Sequence, residues 1–343
     1  MRKLLSCALL LMCTTALHAQ KTLFDSVFTM VKERSIFSQS ANWDSIAPKV
    51  YQRYHATASD SVEAIFPAFG LLLKELKDMH SGMSYKGQGY GNPDAYAFVR
   101  SKISKEMKDA YKKGYGELRT TVLDGRYGYI TIPETSITPS EDMQAAFRDI
   151  TVFAQHLSDS LWMLQSKPLK GIIIDLRLNG GGSTPAMIGG IASLFADGVC
   201  FTFSKLGNIK EEMIFKNGNL FYDTMQITRL NEYSVSPRKV KVAVLISGFT
   251  ASAGEHTAIA LKAIKNTRFF GSPTRGQITG NETIFLRKDL TLSLSSAWAE
   301  DGVGKRYMVD VVPDEVITDG ADFEHLNNDK SVQAAIKWFG SRK

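Results

Sequence analysis

Thr250-Ala251-Ser252-Ala253-Gly254-Glu255 places a hydroxyl among small neighbours where two patterns meet. Before it runs a short β-branched apolar stretch, Val242 to Ile246; after it, Ala258, Ile259, Ala260, Leu261 and Ile264 recur at helical spacing. Small neighbours leave the Ser252 hydroxyl within reach of a bulky substrate. The helix N-terminus that follows offers unpaired backbone N–H groups and the positive end of a dipole, which suit a developing oxyanion. Ser252 is therefore the leading nucleophile candidate. The competing reading is a small-residue turn that only packs a helix against a sheet, and this segment alone leaves both open.

A second turn changes the balance. Gly171-Ile172-Ile173-Ile174-Asp175-Leu176-Arg177-Leu178-Asn179-Gly180-Gly181-Gly182 reads as a buried strand ending in a flexible turn before a helix, Ala186 to Phe195. Its glycines permit positive φ and close approach of the backbone to a ligand, so the turn can aim N–H groups at an anion. It lacks the Lys-Ser/Thr ending of a phosphate-binding loop, which argues against a nucleotide site.

Together these stretches resemble the tail-specific protease family, the C-terminal processing peptidases, whose relatives include the tricorn protease core. The resemblance rests on Asp175-Leu176-Arg177, Asn179 and Gly181-Gly182, on Thr250-Ala251-Ser252-Ala253 with Glu255, and on Gly271-Ser272-Pro273-Thr274-Arg275-Gly276. Val312-Pro313-Asp314 resembles the Pro-Asp that closes the family's catalytic domain. Residues 125 to 318 carry it best. It implies a serine peptidase with an α/β core of the crotonase/Clp-like layered spiral type under an N-terminal helical cap. For the oxyanion hole it implies backbone N–H groups of Gly181 or Gly182 together with Ala253.

One departure bears on mechanism. In the processing-peptidase branch a lysine 25 residues after the serine is the general base, and here that position is Gln277. Glutamine has no basic form at accessible pH, and the nearby Arg275 stays protonated. A neutral imidazole, with an ordinary pKa of about 6.5, is the natural replacement. His18 falls in the leader and His325 in a polar tail, while His55, His156 and His256 read as surface or packing residues on helices. His80, in Leu76-Lys77-Asp78-Met79-His80-Ser81-Gly82, resembles the Leu-x-Asp-x-His segment of the tricorn-like branch, where a histidine from an earlier segment serves the serine. Its alternative role is a helix C-terminal histidine favoured by the dipole.

A base needs a partner that fixes its tautomer. Asp301, in Trp298-Ala299-Glu300-Asp301-Gly302, is the first candidate, with Glu300, Glu282 and the Ser81 hydroxyl as alternatives. The tricorn-type glutamate falls near Tyr307, which is not an acid. Thr279 and Asn281 are candidates for substrate binding, although Thr279-Gly280-Asn281 reads equally well as a hairpin turn.

The N-terminus has the form of an export signal: Met1-Arg2-Lys3, an apolar run from Leu4 to Met12, and Leu17-His18-Ala19-Gln20 at the expected cut. That run is too short to span a membrane, and neither Cys7 nor Cys13 suits a lipobox, so a lipoprotein anchor is disfavoured. The expected location is periplasmic or extracellular. Removing Arg2 and Lys3 takes 41 basic residues to 39 against 35 acids, a net charge of +4. No basic run with interleaved aromatics points to nucleic acid. Only Cys200 remains after cleavage, which excludes an intramolecular disulfide. No metal or other cofactor is expected, because no set of His, Cys and acidic residues has ligand spacing.

The expected organisation is a leader over 1–20, a helical cap over 21–82, a linker with a short helix over 83–125, and a catalytic α/β core over 126–343. Phe24, Val27, Phe28 and Val31 set the cap's helical period. Alternating strands and helices after Arg126 argue for the layered core. About 45 residues separate His80 from Arg126, too few for a PDZ domain that captures C-termini. The expected activity is thus hydrolysis of short peptides or unfolded segments. A peptide- or lipid-binding protein on the same core is the alternative, and an acyl-CoA enzyme of crotonase type, which would not need Ser252, is a distant third.

Overall fold

The computed structural model describes residues 23–55, 62–135, 137, 142–231 and 240–341; the leader, with His18, lies outside them. The chain divides into two compact units, one of Met1–Phe98 with Gly280–Ala297 and one of Val99–Thr279 with Trp298–Lys343.

In the first unit residues 23–34 are helical, followed by helices Trp43–His55 and Phe66–Glu75. Phe24, Val27, Phe28 and Val31 form one buried face, which packs with Val50, Phe69, Leu72 and Leu73. Strands Gly82–Tyr85 and Gln88–Gly91 form a hairpin through Lys86 and Gly87, both at positive φ. The first of them pairs with the chain from Leu290, whose other side takes strand Gly280–Arg287. Leu290, Leu292 and Leu294 alternate onto the same core, as a half-buried strand requires.

Two expectations are corrected here. The start of the expected linker over 83–125 carries strands, because a two-residue turn with positive φ closes a hairpin. The late hairpin 280–297, assigned by sequence order to the catalytic core, instead completes the sheet of the first unit.

The second unit is built on a sheet ordered Glu315–Val316, Thr267–Gly271, Lys241–Ile246, Gly171–Asp175, Tyr127–Thr131 and Thr120–Leu123. All neighbours are parallel except the last pair. Ile172, Ile174, Val242, Val244 and Ile246 face helices Met143–Gln165, Thr184–Gly190 and Ala253–Lys262. Ile173, Ala243 and Leu245 face helix Lys330–Gly340 through Val332, Ala335 and Phe339. Burial on both faces explains why these strands are continuously apolar. A meander of Gly198–Lys205, Lys210–Lys216, Asn219–Tyr222 and Met225–Gln226 adds a second, antiparallel sheet. Where one short helix was expected in 83–125 there are two, Ala95–Lys102 and Lys105–Lys112, the second capped by the Ser104 side chain. Among the described residues no helix is long and apolar enough to cross a membrane.

Candidate active site

Leu245 is in register with Asp175 on neighbouring parallel strands, so the turns that follow both strands open at the same sheet edge. Ligand sites of open α/β sheets lie at that edge. Ser252 sits there at φ 52° and ψ −121°, directly before helix Ala253–Lys262. A non-glycine residue in this conformation costs on the order of 1–3 kcal/mol and persists only where its surroundings enforce it. Those surroundings are explicit. The Ser252 N–H donates to Glu255 Oε2 at 3.0 Å, and the Ser252 carbonyl accepts the His256 N–H at 2.9 Å.

Asn179, fully buried, locks the glycine turn against the Ser252 turn. Its carbonyl accepts the Ala251 N–H at 3.1 Å, its Nδ2 donates to Ile132 and Pro133 carbonyls, and its Oδ1 accepts the Gly181 N–H at 3.0 Å. The last bond corrects one expectation: the Gly181 N–H is already committed. No acceptor among the described residues takes the N–H of Gly182 or of Ala253.

Gly181 and Gly182 adopt φ of 117° and 119°. A Cβ on Gly181 would lie 2.9 Å from Ser252 Cβ, and one on Gly182 would lie 2.2 Å from Thr135 Oγ1. Thr135 itself covers the turn, its N–H donating to the Gly181 carbonyl and its Oγ1 accepting the Ser183 N–H. Sequence reasoning missed both Thr135 and the fastening role of Asn179. Thr135 follows an unremarkable strand, and only the parallel pairing of Tyr127–Thr131 with Gly171–Asp175 brings it to the site.

Glu255 is the buried hub of the site. Besides Ser252 it accepts Thr274 Oγ1 at 2.6 Å and the Gly276 N–H at 2.8 Å, both on Oε1. Burial pushes its carboxyl up to about 7, against the opposing pull of Thr274, Gly276, Ser252 and Arg275. His256 is also buried: Nε2 meets the Ile278 carbonyl at 3.0 Å and Nδ1 meets Thr184 Oγ1 at 2.8 Å. The carbonyl can only accept, so Nε2 carries a proton, and in the neutral ring Nδ1 accepts from the threonine. Cys200 is buried and its thiol pushed up to about 12, which removes it as a second nucleophile.

Beneath the turns Arg177 is enclosed with its charge paired. It contacts Asp175 Oδ2 at 2.6 Å and Asp329 Oδ2 at 2.7 Å, and lies 4.4 Å from the Phe323 ring centroid. Tyr129 donates to Asp175 at 2.7 Å. Ser247 Oγ donates to the Arg177 carbonyl and Thr250 Oγ1 to that of Leu176, so the strand ends are cross-linked below Ser252.

Asp301 is corrected. Its Oδ1 accepts the Val303 and Lys305 N–H groups and its Oδ2 the Tyr307 hydroxyl, so it shapes its own turn rather than orienting a base. Glu300 is paired with Arg306 and Lys210, and Glu282 with Arg34. Thr279 is buried.

Within the first unit, helix Phe66–Glu75 ends in a Schellman arrangement. The Asp78 N–H donates to the Leu73 carbonyl and the Lys77 N–H to that of Lys74, with Lys77 at φ 57°. Buried Asp78 then accepts the His80 and Ser81 N–H groups, each at 2.9 Å, on one oxygen and the Ser81 hydroxyl on the other. Asn281 Nδ2 donates to the His80 carbonyl at 3.0 Å and to Ser293 Oγ, while its Oδ1 accepts from Ser295. Asn281, expected to bind substrate, is thus part of the scaffold that fixes the His80 backbone, and the Ser81 hydroxyl belongs to the same network.

Comparison with known proteins gives this arrangement a context. The sequence profile of peptidase family S41 matches residues 126–317. The chain is 30% identical over 240 residues to the nisin-resistance protein of Lactococcus lactis, covering 70% of this chain and 67% of that protein. It is 31% identical over 205 residues to the carboxy-terminal processing protease CtpA of Bacillus subtilis, covering 58% of this chain and 39% of the relative. The solved structure of a lipoprotein from Streptococcus agalactiae superposes with a TM-score of 0.68 at 23% identity, over 94% of this chain and 97% of the other, which shows a shared fold. With the profile spanning both turns, the strands that carry them and the loop held by Glu255, the chain belongs to peptidase family S41.

Proposed function

We propose that this protein is an exported serine peptidase that cleaves short peptides or unfolded protein segments through an acyl-enzyme on Ser252. The observation that carries the reading is the Ser252 turn: a strained serine before a helix N-terminus, with the Gly182 and Ala253 N–H groups left for an oxyanion. Ser252 Oγ attacks the peptide carbonyl carbon as its proton passes to a base, and the carbonyl oxygen takes up negative charge against those N–H groups. Collapse of the adduct breaks the C–N bond and returns the proton to the leaving amine. Water, deprotonated by the same base, then releases the acid and restores the hydroxyl.

His80 is assigned as the base from its Leu-x-Asp-x-His segment and from Gln277 at the lysine position. The Asp78, Ser81 and Asn281 network supports this role by holding its main chain. The relative named for nisin resistance favours small peptides as substrates and makes nisin a sensible member of the assay panel.

The test is fluorophosphonate labelling and peptide hydrolysis by the full chain, with Ser252→Ala and His80→Ala. Removing a nucleophile or its base costs about a millionfold in kcat, so both variants should lose hydrolysis and Ser252→Ala all labelling. A folded wild type that neither labels nor cleaves would refute the reading. Gln277 would then favour the non-catalytic peptide- or lipid-binding protein.

A further inference from the structure

Beside the glycine turn stands a carboxylate with no part in the chemistry above. Glu134 is exposed and directly follows Pro133, whose carbonyl is held by Asn179. The Tyr111 hydroxyl donates to Glu134 Oε1, which pins the side chain. Its other oxygen lies over the turn, 2.5 Å from where a Cβ on Gly180 would be. The Phe249 ring borders the same spot at 3.4 Å and lies against Tyr111 with ring centroids 4.9 Å apart. Gly180 is one residue from Gly181, which abuts Ser252. A fixed carboxylate flanked by two aromatic rings therefore stands next to the reacting carbonyl's place.

The local charges decide what it selects. Among the described residues Glu134 forms no ion pair. Arg275 is the cation felt nearby, but it is buried, with Nη2 on the Phe249 carbonyl at 2.6 Å and Nε turned to that of Gly248. Glu255 further offsets it. The charge that a bound peptide meets at the surface is negative, and aromatic faces beside it add attraction for a cation.

We propose that Glu134, held by Tyr111, is a specificity-determining residue that selects a lysine or arginine side chain of the peptide close to the scissile bond. This inference rests on the peptidase reading above. An exposed ion pair is a modest effect, so a preference for Lys over Glu of about tenfold in kcat/KM is expected at the responsive position, shrinking as salt is raised.

The experiment measures kcat/KM for matched peptides carrying Lys, Ala or Glu at each of the positions flanking the cleaved bond. Wild type, Glu134→Gln and Glu134→Lys are compared, with fluorophosphonate labelling of each. A ratio of two substrates on one enzyme cancels any general loss of activity. The expected result is a Lys preference that vanishes in Glu134→Gln and inverts in Glu134→Lys at one position. Labelled, active enzyme whose ratios are the same in all three proteins overturns this inference and leaves the peptidase reading standing. A wild type that neither labels nor cleaves any peptide overturns both.

Discussion

Replacing Glu255 with glutamine separates the two things this residue does. As a buried carboxyl raised from 4.5 to about 7, it binds a proton more tightly folded than unfolded. Its contribution to stability is therefore fully present below pH 4.5 and is lost as the pH rises through about 7. At about 1.4 kcal/mol per pH unit, the interval between 4.5 and about 7 corresponds to on the order of 3 kcal/mol. As an acceptor it also takes the Ser252 N–H at 3.0 Å, and a glutamine that keeps Thr274 and Gly276 on its oxygen turns an amide donor toward that N–H. A buried donor left without an acceptor costs about 1–3 kcal/mol.

Glu255→Gln should thus be less stable than wild type by about 1–3 kcal/mol at pH 4.5. By pH 8 that gap should have closed or reversed, because only the wild type loses stability from this group as the pH rises. Urea unfolding followed by tryptophan fluorescence at several pH values measures the gap directly. A gap that stays constant between pH 4.5 and 8 would refute the argument, showing that the Glu255 carboxyl is ordinary or that the amide is accommodated without loss. The rate of Ser252 labelling by a fluorophosphonate gives a second reading: slower labelling of the variant at every pH is expected, because the N–H that fixes the strained turn has lost its acceptor.

Gly182→Ala would put a Cβ 2.2 Å from Thr135 Oγ1 and 2.4 Å from its carbonyl at a φ of 119°. The turn must shift, at a backbone cost of about 1–3 kcal/mol before the clash is counted, and Ser252 labelling should fall far more than the melting temperature; labelling within twofold of wild type would show that the Gly182 N–H is not used. Arg177→Met leaves Asp175 and Asp329 buried without their cation. Removing one partner of such a group costs about 3–5 kcal/mol, measured as the unfolding free energy of variant and wild type at neutral pH.

The strand-to-helix turn at Ser252 was legible because its signals are local: an apolar strand, small residues and a helical period all lie between Val242 and Ile264. The glycine turn was legible for the same reason, except that the strand-end asparagine turned out to occupy the Gly181 N–H. What the sequence hid was long-range. Asn281 and the His80 carbonyl lie 201 positions apart, and Arg177 and Asp329 lie 152 apart, so no window along the chain contains either pair. The hairpin 280–297 misled for a related reason, since strand pairing ignores chain order and gives it to the N-terminal unit. Helix Lys330–Gly340 went unread in the sequence, and its importance comes from Asp329, which caps it and pairs with Arg177 at once. Asp301 failed as a candidate because a carboxylate before Gly302 is also what a tight turn needs, and that local use won.

Position 277, where the resemblance to the processing peptidases implies a lysine, lies in a loop that is anchored independently of its side chain. Thr274 and Gly276 are held by Glu255, the Arg275 N–H donates to the Thr250 carbonyl at 2.9 Å, and the Ile278 carbonyl is held by His256. Three of these four anchors use a main-chain group of the loop, and none depends on the side chain at 277. Both side-chain partners, Glu255 and His256, sit on the first turn of the helix that Ser252 precedes. The loop is therefore tied to the Ser252 turn whatever residue it displays, and in the proposed reading a glutamine at 277 leaves the serine held. The proposed base lies on a different segment, where a buried aspartate, two serines and Asn281 fix the main chain of His80. Gln277→Lys should therefore leave both the unfolding free energy and the Ser252 labelling rate close to those of wild type, measured side by side. A large drop in stability would show instead that the Gln277 side chain is itself an anchor of the loop.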